Sequence, residues 1–124
     1  MRRGISRAKL AQWERYGKYV SWSELSFQAQ VKLYALEREY GYQMSDQALK
    51  VDMGKAHPNY VVFGSTPEGE EVVYEHVEFP SHGGGQTYIW VDNVRHSLGD
   101  FHFPIPMAEL ESEYLRAQPI PVEF

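Results

Sequence analysis

The chain has 124 residues and a mass of 14.4 kDa, with 43% apolar, 15% aromatic and 23% charged residues and no cysteine. That length predicts a single domain over 1–124, and the composition excludes a disordered tail, a coiled-coil rod, disulfides, thiol nucleophiles and Cys-ligated zinc. The net charge of −5 divides unevenly: residues 1–55 carry ten Lys or Arg against six Asp or Glu, and residues 56–124 carry two against eleven.

No apolar run approaches the length of a membrane span, so no membrane partner is expected. Met1-Arg2-Arg3-Gly4-Ile5 has charge but no apolar stretch after it. No secretory leader is expected, and the absence of cysteine fits a cytoplasmic location.

Residues 1–55 read as helical. Ser6 suits the cap of a helix from Arg7 to about Tyr16, with Leu10 and Trp13 on one face. Ser21-Trp22-Ser23-Glu24 fits a capping box, which predicts a helix running to Tyr40. Leu25, Ala29, Leu33, Leu36 and Tyr40 recur at spacings of four, four, three and four, an apolar stripe, and Gly41 supplies the left-handed stop. Ser45 or Asp46 would cap a third helix to Met53, carrying Ala48 and Leu49. Lys55 to Asn59 reads as a linker.

Residues 60–124 read as β-rich. Tyr60–Phe63 is β-branched and aromatic, Ser65–Gly69 has turn chemistry, and Glu71–Phe79 is a second strand. On that strand Val73, Val77 and Phe79 share one face, and Val72, Tyr74, His76 and Glu78 the other. Pro80–Gln86 reads as a glycine-rich loop, Thr87–Val91 as a third strand, and Phe101–Phe103 as a fourth, ended by Pro104 and Pro106. Met107–Arg116 reads as an amphipathic helix with Met107, Leu110, Tyr114 and Leu115 inward. Pro119, Pro121 and Val122 suggest an extended tail. The predicted class is α+β: N-terminal helices, a small antiparallel meander of three or four strands, and a C-terminal helix.

Four residues in one short segment, Asp92, His96, Asp100 and His102, carry the side chains that ligate divalent metals, though their spacing matches no specific metal motif. They define a metal-dependent enzyme as one alternative. His82-Gly83-Gly84-Gly85 has the letters of an esterase oxyanion loop without its nucleophile elbow, and a strand rather than a phosphate-binding helix follows it. It reads as a hairpin loop. His57 and His76 read as surface or capped histidines, since no nucleophile, base and orienting group fall into place around them. No cofactor is implied.

A second alternative is nucleic-acid binding by the basic N-terminus. Arg2, Arg3, Arg7, Lys9 and Arg15 would contact phosphates, with Trp13 and Tyr16 for stacking. Leu25 to Met53 would supply helix, turn and helix. Against this stand Asp46 and Asp52 in the second of those helices and an acidic whole chain.

The acidic half favours a protein partner instead. Glu70, Glu71, Glu75 and Glu78 would form an electrostatic surface, with Tyr74 as its anchor. Such a surface complements the basic groove of a nucleic-acid-binding enzyme. Small, cysteine-free, acidic α+β chains with no obvious active site are often inhibitors or adaptors encoded by phages and other mobile elements. The expected function is therefore a non-enzymatic protein-binding module, an inhibitor or regulator of a nucleic-acid-processing protein. Aromatic richness and an open sheet edge allow homo-oligomerisation.

Overall fold

The computed structural model describes residues 7–52, 59–79 and 84–117. In chain order these form α1 (Arg7–Tyr16), β1 (Gly17–Ser21), α2 (Phe27–Tyr40), β2 (Gln43–Met44), β3 (Gln47–Val51), β4 (Asn59–Ser65), β5 (Glu71–Phe79), β6 (Gly84–Val91), β7 (Val94–Ser97) and α3 (Met107–Ala117). Short 3-10 turns stand at Trp22–Glu24 and Leu98–Asp100. The strands make one antiparallel sheet in the order β1-β3-β4-β5-β6-β7, with the short β2 beside β4. From β3 to β7 each strand pairs with the next, a meander, so the architecture is the expected α+β with more strands than the sequence suggests.

Both faces of the sheet are covered. The register sets Val20, Ala48, Val62, Tyr74 and Ile89 side by side on one face. Leu25, Ala29, Leu33 and Leu36 pack on that face, so the predicted stripe of α2 is its contact with the sheet. On the other face Leu49, Val51, Val61, Val73 and Trp90 pack under Trp13 of α1. Behind α2 lies α3, where Val31 and Ala35 meet Leu110 and Tyr114. The α2–α3 contact is tied by Arg38, whose guanidinium donates to both Glu113 oxygens at 2.5 and 3.0 Å. Tyr34 Oη donates to Glu113 as well.

Local chemistry sets the element ends. Ser26 Oγ accepts from the Ala29 amide at 3.2 Å and starts α2. Gly41, at φ 69°, ends it in the left-handed region where glycine carries no Cβ penalty. Ser21 caps the 3-10 turn instead, accepting from the Ser23 amide at 3.3 Å, so α2 begins later than the Ser-x-x-Glu box predicts. Gly17 lets β1 leave α1 tightly: a Cβ there would meet the Trp13 carbonyl oxygen and lie 2.6 Å from Leu49 Cγ. Asp92 and Asn93, at φ 48° and 66°, are both left-handed and close a two-residue hairpin between the paired Val91 and Val94.

Several expectations are corrected. The predicted helix from residue 45 to Met53 is replaced by strand β3, because Gln47–Val51 is hydrogen-bonded between β1 and β4; Met53 itself lies outside the described residues. The helix-turn-helix reading falls with it. Phe101–Phe103 is not a strand: the partner of β6 is Val94–Ser97. Gly84, Gly85 and Gln86 belong to β6 rather than to a loop. Leu115 is 60% exposed and not inward, since α3 contacts α2 through Leu110 and Tyr114. Ser6, His57, His82, Gly83 and the Pro119–Val122 tail lie outside the described residues.

Candidate functional site

The register places the β4–β5 turn, the β6–β7 turn, the C-terminal end of β1 and the start of β3 at one end of the sheet. That end gathers Asp46, Glu68, Glu70, Glu71 and Asp92. The 66–70 turn is held rigid from within: the Thr66 amide donates to the Glu70 carbonyl at 2.9 Å, and the Glu70 amide donates to Thr66 Oγ1 at 3.0 Å. Thr66 is buried while Glu68 and Glu70 point outward, exposed. The Asp92 amide donates to the Glu71 carbonyl at 2.9 Å, which joins the two turns.

Aromatic side chains border these acids. Tyr42 follows directly on the Gly41 stop of α2 and packs against Tyr40 and Phe101, at ring-centroid distances of 5.7 and 6.4 Å. Tyr40 also meets Phe101 and Phe103 edge-on, and His96 packs edge-on against Phe101. Tyr40 Oη donates to the His102 carbonyl at 2.9 Å and accepts from the His102 amide at 2.7 Å, which fixes the 101–103 segment to α2. All five rings are half-buried. Burial pushes the Tyr42 phenol above its usual range, and Tyr40, Glu70 and Glu68 add to the rise. Tyr42 stands beside the 66–70 turn, since a Cβ at the preceding Gly41 would lie 3.1 Å from Pro67 Cγ.

The other end of the sheet is cationic. Lys18 and Lys50 are directly opposed on β1 and β3. Lys50, Tyr60, His76 and Thr87 continue one cross-strand row. Lys32 of α2 donates to Thr87 Oγ1 at 3.3 Å, and burial lowers its ammonium pKa. Asp52 and the Glu78 position of β5 lie at the same end and Arg95 at the acidic one, so charge is only partly segregated and Glu78 is at the opposite end from Glu70 and Glu71.

The predicted surface divides on this fold. Glu70 is exposed and Glu71 half-buried. Tyr74 is 0% exposed, under α2, and cannot anchor a partner. Glu75 is 6% exposed and is a structural acceptor: Trp90 Nε1 donates to it at 3.0 Å and Asn59 Nδ2 at 3.3 Å. The cause is shared, since both faces of β5 are covered. His76, expected at the surface or capped, is likewise buried, with Nδ1 3.0 Å from Thr87 Oγ1. The side chains of Glu78, Arg7 and Lys9, and all of Arg2 and Arg3, lie outside the described residues. Arg15 is exposed, its guanidinium over the Tyr16 ring at 5.5 Å.

The structure does not bring Asp92, His96, Asp100 and His102 together as one ligand set. No three His, Asp or Glu side chains converge on a common point among the described residues. Asp92 is a hairpin-turn residue and Asp100 caps the 3-10 turn, accepting from the Ser97 amide at 2.9 Å. His96 Nδ1 stands 4.0 Å from Asp100, and His102 belongs to the Tyr40 contact by its backbone. The local signal for this outcome was Asp92-Asn93, two residues tolerant of positive φ between two valines. Tyr42 and Phe101, by contrast, had no local signal; the turn at Gly41 and the return of the 101–103 segment bring them together.

No helix among the described residues is long and apolar enough to cross a membrane. No known protein-family model, curated protein or solved structure matches the chain.

Proposed function

We propose that this chain is a non-enzymatic protein-binding module whose acidic, aromatic end docks a Lys/Arg-rich segment of a nucleic-acid-processing protein and so inhibits or regulates it. The reading is supported above all by the packing of the α2 stop, next to Tyr42, against the turn that carries the exposed Glu68 and Glu70: a Cβ at Gly41 would lie 3.1 Å from Pro67 Cγ. Carboxylates beside half-exposed rings suit a guanidinium or ammonium, which draws on charge attraction and on the ring face together. The acids steer the encounter, and the rings supply buried area.

The test is calorimetric titration with an arginine-rich peptide at two salt concentrations. Glu68→Lys with Glu70→Lys is expected to weaken binding about tenfold or more and to flatten its salt dependence. Tyr42→Ala is expected to weaken it with the salt dependence intact. Unchanged affinity in the double Lys variant sinks the proposal. A pull-down from host lysate, with and without nuclease, then identifies the partner. Capture of nucleic acid in place of protein would move the function to the cationic end, with Arg15, Lys18 and Lys50 as its contacts.

A further inference from the structure

A cleft of about 330 Å³ opens between α2, the end of α3 and the 3-10 turn at Trp22–Glu24. Gln30, Tyr34 and Glu37 line it at helical spacings of four and three, a stripe of α2. Tyr114 of α3 faces them, and Trp22 closes the third side. The volume lies at the lower end of the range for small-molecule sites, roughly 300–1,000 Å³.

Most of the polar groups in its walls are already committed. Tyr34 Oη donates to Glu113, Tyr114 Oη donates to Gln30 Oε1, and Gln30 Nε2 donates to the Leu25 carbonyl at 2.9 Å. Two groups differ: the Trp22 indole Nε1 is buried with no hydrogen-bond partner, and Glu37 has no cation paired with it among the described residues. Burial holds its carboxyl above the usual range, as expected of an acid short of countercharge. The Arg38 guanidinium next along the helix is tied to Glu113 and Glu39. The lining thus includes three aromatic rings and one carboxylate without a cation partner, beside Ser23, Gln30 and Ala117.

We propose that this cleft binds a methylated ammonium group, with Trp22, Tyr34 and Tyr114 around the cation and Glu37 as its counter-ion. An anion would be repelled by Glu37. A neutral apolar ligand would desolvate that carboxylate further with nothing in return. A compact inorganic cation gives up its water reluctantly. A methylated ammonium is bulky and weakly hydrated, and it is attracted to both ring faces and carboxylate. The same group occurs on free choline-like molecules and on methylated lysine side chains. The inference does not depend on the acidic end of the sheet, which is a separate set of residues.

The test is an amide and indole NMR titration of the full chain with choline chloride, against sodium chloride at equal ionic strength. Choline is expected to shift the Trp22 indole and the Gln30 side-chain signals saturably. Its neutral isostere 3,3-dimethyl-1-butanol is expected to bind about tenfold more weakly, because it fills the same shape without the charge. Glu37→Gln is expected to lose about tenfold for choline and little for the isostere. Trp22→Leu, which keeps apolar bulk and removes the ring, should weaken choline binding with Glu37 intact. A peptide carrying trimethyllysine distinguishes the sources. Tighter binding than choline, lost with unmodified lysine, assigns a partner's side chain, and weaker binding assigns a free cation. The proposal is overturned if choline causes no saturable shift, if the isostere binds as well, or if Glu37→Gln leaves choline affinity unchanged.

Discussion

The two faces of the sheet are covered in different ways. One lies under α2, which buries Ala29, Leu33 and Leu36 with Leu25 just before it, and is itself backed by α3. The other lies under α1, whose contact is Trp13 with Leu10 half-buried beside it. The first cover is redundant and thick. Among the described residues the second rests on one large ring with Leu10 beside it, and a carboxylate, Glu75, is buried on its sheet side. Burial on the α2 face is therefore apolar shape-matching. On the α1 face a buried hydrogen bond to charge shares the work.

That contrast can be broken from either side. The largest effect is expected at Tyr74, fully buried at the centre of the α2 face. Tyr74→Ala should lower unfolding free energy by about 3–5 kcal/mol, measured by denaturant titration, with a single transition retained. Trp13→Ala is expected at the low end of that range, about 3 kcal/mol, because a helix with one anchor can detach locally. Hydrogen exchange should show lost protection in α1 with β5 and α2 still protected. Equal loss across all elements would show that α1 is integral to the cooperative core.

Glu75→Ala is expected to cost about 1–3 kcal/mol by leaving the buried Trp90 donor without its acceptor. Glu75→Gln keeps an acceptor oxygen and should cost clearly less; equal losses would mean that the negative charge itself is needed. The smallest effect is expected behind α2. Burial raises the folded-state pKa of Glu37, so ionisation costs stability above that pKa and nothing once the group is protonated in both states. Glu37→Gln should therefore stabilise at neutral pH by less than about 1 kcal/mol, given the partial exposure of the group. Thermal melts should show that gain shrinking as pH falls toward the acidic range. A gain that grows on acidification contradicts the assignment.

The legible parts of this fold were those whose environment is one-sided or whose punctuation is strong. The α2 stripe from Leu25 to Tyr40 and the Gly41 stop were both readable, and Glu71–Phe79 was found at its observed bounds because turn residues precede it and Pro80 follows. The β3 strand was misread for a physical reason. Ala48 faces α2 while Leu49 and Val51 face α1, so apolar residues stand next to each other and no period of two is visible. The same double cover hid the burial of Tyr74 and Glu75. The glutamates of β5 read as one exposed acidic surface around Tyr74, whereas β5 is a central strand with Tyr74 and Glu75 buried.

By itself the sequence determined the α+β class, the α2 helix with its buried stripe and stop, the bounds of β5, and the separation of positive and negative charge along the chain. These are local or additive properties, set by side-chain periodicity, backbone freedom and counting. Only the tertiary structure decided which acids stay in water, that the α2 stop at Gly41 packs against Pro67 of the 66–70 turn, and that Glu37 shares a cleft with three aromatic residues. Those outcomes depend on strand register and on which helix covers which face. They bring together residues distant in sequence, such as Tyr42 and Phe101 or Trp22 and Tyr114, whose nearness no local pattern encodes.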